Sequence, residues 1–266
     1  MKQYVIDAFT DEVFKGNQAA VCFPKEWPSD KFMAKVAFEN KFSETAFIIK
    51  EDPAKDEYHI RWFTPAGEID FCGHATLASA CAIHTFVDPA ADCIHFTSMH
   101  GPIDVFVKGD LYDMHFPPYE LKQVPVTDAM EDAAGRRPLE AYMARDLVCV
   151  FDDEEFVRTM DPDQKKVNEL DGLILHATAK GKDFDCVSRS FAPKCGVAED
   201  PVCGSGHCHI IPLWADKLGK KEITAFQASE RSGILYGLMS DADLSISGKA
   251  AVFSKGEIAN EDGSWD

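Results

Sequence analysis

The chain is short of positive charge. Against 45 Asp and Glu it carries 27 Lys and Arg, a formal net charge of −18 over 266 residues, and both halves share the deficit. A body this acidic repels a phosphate backbone or an anionic membrane surface unless a local basic patch opposes it. The sequence offers no such patch, so neither nucleic acid nor a membrane is an expected partner. Also missing is any run approaching the roughly 18 consecutive apolar residues of a membrane span. The opening MKQYVIDAF has no apolar stretch long enough for a signal peptide. Low-complexity tracts are absent, and 45% hydrophobic with 11% aromatic residues is the composition of a packed globular protein. The nine cysteines are an odd number scattered from Cys22 to Cys208 with no regular framework, which points to a reducing, cytoplasmic location. No Walker A and no strand-linked G-x-G-x-x-G argues for a nucleotide.

What is present is mostly short β-rich runs: Gln3 to Phe9, Ala46 to Lys50, Tyr58 to Phe63, Ile103 to Lys108, Leu173 to His176 and Ile234 to Leu238. Their β-branched, aromatic and other apolar residues, bounded by Gly, Pro or Asp, predict strands. Helical signals are fewer. Ser29 can cap a helix with Phe32, Met33, Val36 and Ala37 on one face, and Asp161 or Asp163 can open another through Val167. Two further helices are expected after Cys72-Gly73-His74, running from Ala75 to His84, and after Cys203-Gly204-Ser205-Gly206, running from His207 to Asp216. Pro212 is expected to kink or shorten the second.

Both helices follow one plan: an acidic residue, a Cys-Gly turn, then a helix that begins with small residues. Cys72 and Cys203 stand 131 residues apart, close to half the chain. This spacing predicts a two-fold internal repeat of α+β domains, 1–115 and 116–266, with the last strand free to return to the first domain. The join falls between His115 and Val126, where Pro117, Pro118 and Pro125 cluster.

The first N–H groups of a helix lack internal partners and carry the positive end of the macrodipole, so a helix start attracts anions. Gly73, Gly204 and Gly206 let a ligand approach the backbone closely. Titratable groups surround both turns: Asp70, Cys72 and His74 at the first, Glu199, Asp200, Cys203, Ser205 and His207 at the second. In Phe42-Ser43-Glu44-Thr45-Ala46-Phe47 a carboxylate sits ahead of an apolar strand, where burial is expected to raise its pKa into the range of acid/base work.

Several runs are recognisable together: Asp7-Ala-Phe-Thr, Phe14-Lys-Gly-Asn17, Phe42-Ser-Glu-Thr-Ala-Phe47, Arg61-Trp-Phe-Thr-Pro65, Cys72-Gly-His-Ala-Thr76, Arg189-Ser-Phe-Ala-Pro193 and Glu199-Asp-Pro-Val-Cys-Gly-Ser205. In this order, and with the ending Gln227-Ala-Ser through Ser247-Gly-Lys-Ala250, the chain resembles the PhzF-like (phenazine-biosynthesis isomerase-like) family over essentially its whole length. The resemblance implies a diaminopimelate-epimerase-like fold of two similar domains, each a curved sheet or open barrel around a central helix, with the active site in the interdomain cleft. It implies an isomerase that needs neither cofactor nor metal, acting on a small anionic metabolite as a homodimer. Glu44 matches the family's catalytic glutamate. His74, Asp200 and Ser205 match residues around the substrate, and the Gly73 and Gly204 backbone matches the carboxylate-holding turns.

One departure matters. The family commonly has Thr where this chain has Cys203, whereas the related diaminopimelate epimerases and proline racemases place a thiol before Gly in each half. Cys72 and Cys203 fill both places, and a thiol at a helix start is expected to have a lowered pKa. A two-thiol amino-acid racemase is therefore the alternative to glutamate chemistry, although those epimerases usually have Asn where His74 stands. A zinc-binding or other non-catalytic binding protein is the alternative of another class, drawing on Cys195, Cys203, His207, Cys208 and His209, whose spacing misses the paired C-x₂-C signature. Ser205 is outside any G-x-S-x-G. Cys203 also lies too late for the thiol-protease arrangement, which needs a His about 130–150 residues downstream.

Overall fold

The computed structural model describes residues 1–51, 57–240 and 243–265. Its chain divides into two compact units, Met1–Met114 with Ser247–Asp266, and His115–Ile246. The first runs β1 (Lys2–Ala8), β2 (Asn17–Phe23), α1 (Asp30–Asn40), β3 (Glu44–Ile49), β4 (Glu57–Thr64), β5 (Gly67–Ile69), α2 (Gly73–Phe86), β6 (Cys93–Ser98), β7 (Gly101–Lys108) and β8 (Leu111–Phe116). The second holds β9 (Lys122–Val124), α3 (Asp128–Ala134), β10 (Glu140–Met143), β11 (Leu147–Val150), α4 (Glu154–Thr159), α5 (Gln164–Glu169), β12 (Leu175–Lys180), β13 (Cys186–Phe191), α6 (Gly204–Leu218), β14 (Glu222–Gln227) and β15 (Gly233–Met239). β16 (Leu244–Gly248) carries the chain back to the first unit, where β17 (Ala250–Glu257) pairs antiparallel with β1.

The strand pairings repeat. In the first unit β1–β2 is antiparallel, β2–β3 parallel, β3–β4 antiparallel, β4–β6 parallel and β6–β7 antiparallel. In the second, β10–β11, β11–β12, β12–β13, β13–β14 and β14–β15 follow the same alternation. A parallel pair needs a crossover. In each unit the crossover of the second parallel pair contains the long helix, α2 between β4 and β6 and α6 between β13 and β14.

These two helices are apolar almost all round. Every residue from His74 to Ile83 is buried, as are Gly206 to Ile211, Leu213 and Trp214. α2 packs on β1, β2, β3, β6 and β17, and α6 on β12, β14 and β15. Strands β2 and β3 are accordingly near-continuous buried runs rather than alternating ones, as expected where both faces are covered. α1 starts as expected, with Ser29 Oγ accepting from Phe32 N–H at 3.2 Å. It buries Met33 and Ala37 against Met1, Cys22, Phe47 and Phe63. α5 is capped by Asp163, whose carboxylate accepts from the Lys165 and Lys166 N–H groups.

Pro212 neither ends nor shortens α6, which continues to Leu218. A proline removes the N–H that would bond the carbonyl four residues back. Here that carbonyl, of Cys208, accepts the Tyr119 N–H at 3.2 Å instead, so the proline-rich segment after β8 repairs the helix it lies on.

Gly248 is fixed by packing. A Cβ there would stand 2.3 Å from Phe9 Cδ1 and 3.3 Å from Leu77 Cδ1, whereas one on Gly256 would meet nothing within 4 Å. Gly248→Ala should therefore lower the unfolding free energy by about 1–3 kcal/mol in urea titrations, and Gly256→Ala should change it by less than about 0.5 kcal/mol. Equal midpoints for the two variants would contradict this packing.

Candidate active site

Glu44 opens β3 opposite Ala19 of β2, and Cys72 and His74 bracket Gly73 at the start of α2. The fold brings the three together: their ligating atoms lie within 4.8 Å of one another. Glu44 Oε2 is 3.1 Å from His74 Nε2, and both side chains are largely enclosed. The Cys72 thiol lies 3.5 Å from His74 Nδ1, and Asn17 Nδ2, at the start of β2, lies 3.2 Å from the same nitrogen.

Two expectations about protonation are corrected here. Burial does push the Glu44 carboxyl up. The charge of His74 and the hydrogen-bond donors His74, Cys72 and Ser43 outweigh it and hold the group below its ordinary value. Neither thiol is lowered by its helix start. Cys72 is raised by burial and by the neighbouring Glu44 charge, and Cys203 is raised well above an ordinary thiol by burial and by Asp200. Desolvation of a fully enclosed sulfur exceeds what a helix end returns. His74 goes the other way: burial disfavours its charge, but Cys72 and Glu44 beside it raise its pKa well above an ordinary imidazole. Glu44 and His74 thus form an enclosed pair in which carboxylate and imidazolium favour one another, with the Cys72 sulfur beside them.

The matching turn of the second unit is built differently. Asp200 bridges to Ser190, its carboxylate accepts the Val202 N–H at 3.2 Å, and Gln227 spans the turn by accepting from Cys203 N–H at 2.9 Å and donating to the Asp200 carbonyl at 2.6 Å. Gly204 and Ser205 form the first turn of α6. Ser205 Oγ lies 3.6 Å from the Cys203 sulfur and accepts from Arg145 Nη2 at 3.0 Å. Behind it Arg145 grips Asp146 through Nε at 3.0 Å and Nη2 at 2.6 Å, and His176 Nε2 reaches the same carboxylate at 3.1 Å. Burial alone would raise Asp146, but His176 and Arg145 bring it far below the carboxylate range. Gly206 is required by this network, because a Cβ there would stand 2.4 Å from His176 Cε1.

The remaining sequence candidates separate. Asp70 is exposed, and Glu199 is taken by Arg189 through two bonds of 2.7 Å. His207 is buried, bonds the Cys203 carbonyl at 2.8 Å and is pushed down by burial to about 4. The five zinc candidates do not converge among the described residues. His209 joins Asp146 and His176 instead, while Cys195 is exposed and Cys208 faces the Gly204 carbonyl. Asn17, Arg145, Asp146 and His176 were not singled out from the sequence. The signal that could have found them is the repeat: Asn17 stands two residues before Ala19, which pairs with Glu44, and Arg145 two before Leu147, which pairs with Leu175.

Comparison with known proteins bears on this arrangement. Residues 6–256 match the family profile described as phenazine biosynthesis-like protein, PhzC-PhzF. An uncharacterized isomerase of Pseudomonas aeruginosa is 38% identical over 255 residues, covering 96% of this chain and 97% of its own. A crystal structure of a phenazine biosynthesis protein, PhzF family, from Enterococcus faecalis superposes with a TM-score of 0.94 at 42% identity, covering 97% of this chain and 99% of that one. At 9% identity a probable proline racemase from Agrobacterium radiobacter shares the fold, with a TM-score of 0.65 over 98% of this chain and 93% of its own. The fold is thus the epimerase-like α+β architecture expected from the sequence.

The ion pair sets a sign for pH. The depressed Glu44 contributes stability above the ordinary carboxylate pKa and loses it as pH falls through its own. The raised His74 contributes below the ordinary imidazole pKa and loses it as pH rises through its own. Glu44→Gln should therefore destabilise most between those limits, with the difference closing in acid. In histidine NMR titrations the same variant should move the His74 pKa down. An unmoved His74 would mean that the pair does not form.

Proposed function

Because the chain belongs to the phenazine biosynthesis-like protein family, we propose that it is an isomerase which needs no cofactor and moves a proton on a small carboxylate-bearing metabolite, with Glu44 as acid and base. The observation that carries this reading is the enclosed cluster in which Glu44 Oε2 stands 3.1 Å from His74 Nε2 with Cys72 beside them, and the direction of each group's shift agrees with it. At neutral pH Glu44 is held ionised, the form that accepts a proton, while both thiols are held protonated and cannot. The Pseudomonas relative is named an isomerase, in keeping with the proposal.

The chemistry follows from the pair. A carbon acid needs one base within hydrogen-bond reach and fixed positive charge where the carbanion develops. Glu44 takes the proton from carbon, and the neighbouring His74 imidazolium favours the negative charge left behind. Once protonated, Glu44 has lost its ion pair, so the same imidazolium presses it to give the proton up again, at the original carbon or at another along a conjugated system. In this reading the Gly73 N–H, first in α2 beside Glu44 and His74, holds the substrate carboxylate.

The duplication also favours one base over two. In the second unit the residue in Glu44's place, opening the strand of the parallel pair, is the buried Leu175, so the repeat supplies a single carboxylate there. The two-thiol reading requires each sulfur to ionise, against the burial that raises both.

Incubation with candidate carboxylic acids in D₂O tests the assignment. Deuterium should wash into carbon with the native protein and fall by at least about 10²-fold in Glu44→Gln, while Cys72→Ala and Cys203→Ala each keep exchange. Undiminished exchange in Glu44→Gln would sink the glutamate role, and loss of exchange in both cysteine variants with retention in Glu44→Gln would install the thiols. The acid limb of kcat/KM should lie below the ordinary carboxylate range, following the depressed Glu44.

A further inference from the structure

We infer that Arg145 is an anion-binding residue of the second unit, placed beside the Gly204–Ser205 helix start to receive a second carboxylate of a ligand held at that turn, so that the preferred ligands are dicarboxylates. The inference rests on the reading of the Ser205 turn as substrate-facing and names the substrate class of that site.

The guanidinium is fixed on several sides. Nε and Nη2 are tied to Asp146, whose side chain is fully buried, and Nη2 also bonds Ser205 Oγ at 3.0 Å. The guanidinium carbon lies 5.5 Å from the centre of the Tyr119 ring, which is itself stacked on His209 at 4.0 Å. Nη1, with two N–H donors, meets no partner among the described residues, and the side chain is 37% exposed. An arginine present only to neutralise Asp146 would need nothing beyond the two bonds it makes there. This one is braced from below and beside, with the other half of its fork directed to no protein group.

The repeat sharpens the point. Asn17 and Arg145 are counterparts by register, and so are His74 and Ser205, each the second residue of its helix. The pair Asn17–His74, joined at 3.2 Å, thus corresponds to the pair Arg145–Ser205, joined at 3.0 Å. Where the first unit puts a neutral amide against an imidazole, the second puts a cation against a hydroxyl. In a chain of net charge −18 a fixed local cation is what draws an anion in. Because the arginine is already ordered, little side-chain entropy opposes binding. A guanidinium suits a carboxylate better than an ammonium would, through its planar donors. Arg145 also forms part of the wall of a cavity of about 770 Å³, lined by Val124, Met130, Met143 and Leu170 and by the acidic Glu169 and Asp171, among which it is the cation.

The test is calorimetric titration of the full chain at fixed ionic strength with two probe pairs, butyrate against glutarate and benzoate against isophthalate. The native protein should bind each diacid at least about tenfold tighter than its monoacid, the worth of one charge-assisted contact. Arg145→Gln should erase that gap by weakening the diacid more than the monoacid, and Arg145→Lys should keep part of it. Because Arg145→Gln leaves Asp146 buried without its cation, the double variant Arg145→Gln/Asp146→Asn is measured beside it and should also show no gap. Equal native affinity for mono- and diacids, a gap that survives both variants, or native binding of neither class overturns the inference. Failure of Glu44→Gln to affect exchange would instead remove the catalytic reading and leave the affinity gap as it is, so the two can fail separately.

Discussion

A helix buried around its whole circumference can present polar groups to a ligand only at its ends, and α2 and α6 are both such helices. The flanks of α2 are Ala, Leu, Ile, Cys and small polar residues whose hydroxyls turn back onto the helix, as Thr76 and Ser79 do onto the Cys72 and Ala75 carbonyls, while α6 also buries His207, His209 and Trp214. The first turn, where N–H groups lack internal partners, is the place left for chemistry. Neither N-terminus is closed by a side-chain cap, since Cys72 and Cys203 hold the cap positions without making the bond. Serine or aspartate there would satisfy those N–H groups internally, as Ser29 does for α1.

Duplication supplied two equal frames, and substitution at matching positions made them unequal. The frame itself is kept by paired devices: Arg61 grips Glu68 in the first unit and Arg189 grips Glu199 in the second, each through Nε and Nη2, and each arginine lies over a phenylalanine two residues on. Against that constant background, Glu44 faces Leu175, His74 faces Ser205 and Asn17 faces Arg145 in the alignment of the halves. The first unit thereby concentrates titratable groups whose charges depend on one another. The second concentrates groups of fixed charge, because Arg145 stays protonated and Asp146 stays ionised across the physiological range. Proton transfer needs the former, and binding with orientation needs the latter.

Much of this could be read from the sequence, and the exceptions have physical causes. The caps at Ser29 and Asp163, the two long helices and the six strand runs are local signals, and local signals survive without coordinates. Strand ends moved by a residue or two, and the strand expected from Leu173 begins at Leu175 because Gly172 has φ +83 and still belongs to the preceding turn. The fate of Pro212 was hidden, since the donor that repairs its helix comes from Tyr119, ninety-three residues earlier. The protonation states were hidden too: residue identity tells that Glu44 is enclosed by an apolar strand, but the sign of its shift depends on His74 lying 3.1 Å away. Arg145 was legible in principle. The run R-x-F-x-P occurs at Arg61 and again at Arg189, and aligning the halves on it puts Asn17 and Arg145 in one column.

The low count of cations then acquires a different meaning. In a chain with 27 basic residues among 266, most described arginines are spent on carboxylates of the protein itself: Arg61 on Glu68 and Asp30, Arg137 on Asp128 and Glu131, Arg158 on Glu154, Arg189 on Glu199. A surplus of acid leaves little positive potential over, and what remains acts by being local. The Glu44 carboxylate beside it favours the His74 imidazolium, and the Arg145 guanidinium is rigid because Asp146 is buried beneath it. Each useful positive charge is thus created or held by a negative one. Removing the acid would not free the cation for a ligand, but would neutralise it in one case and loosen it in the other.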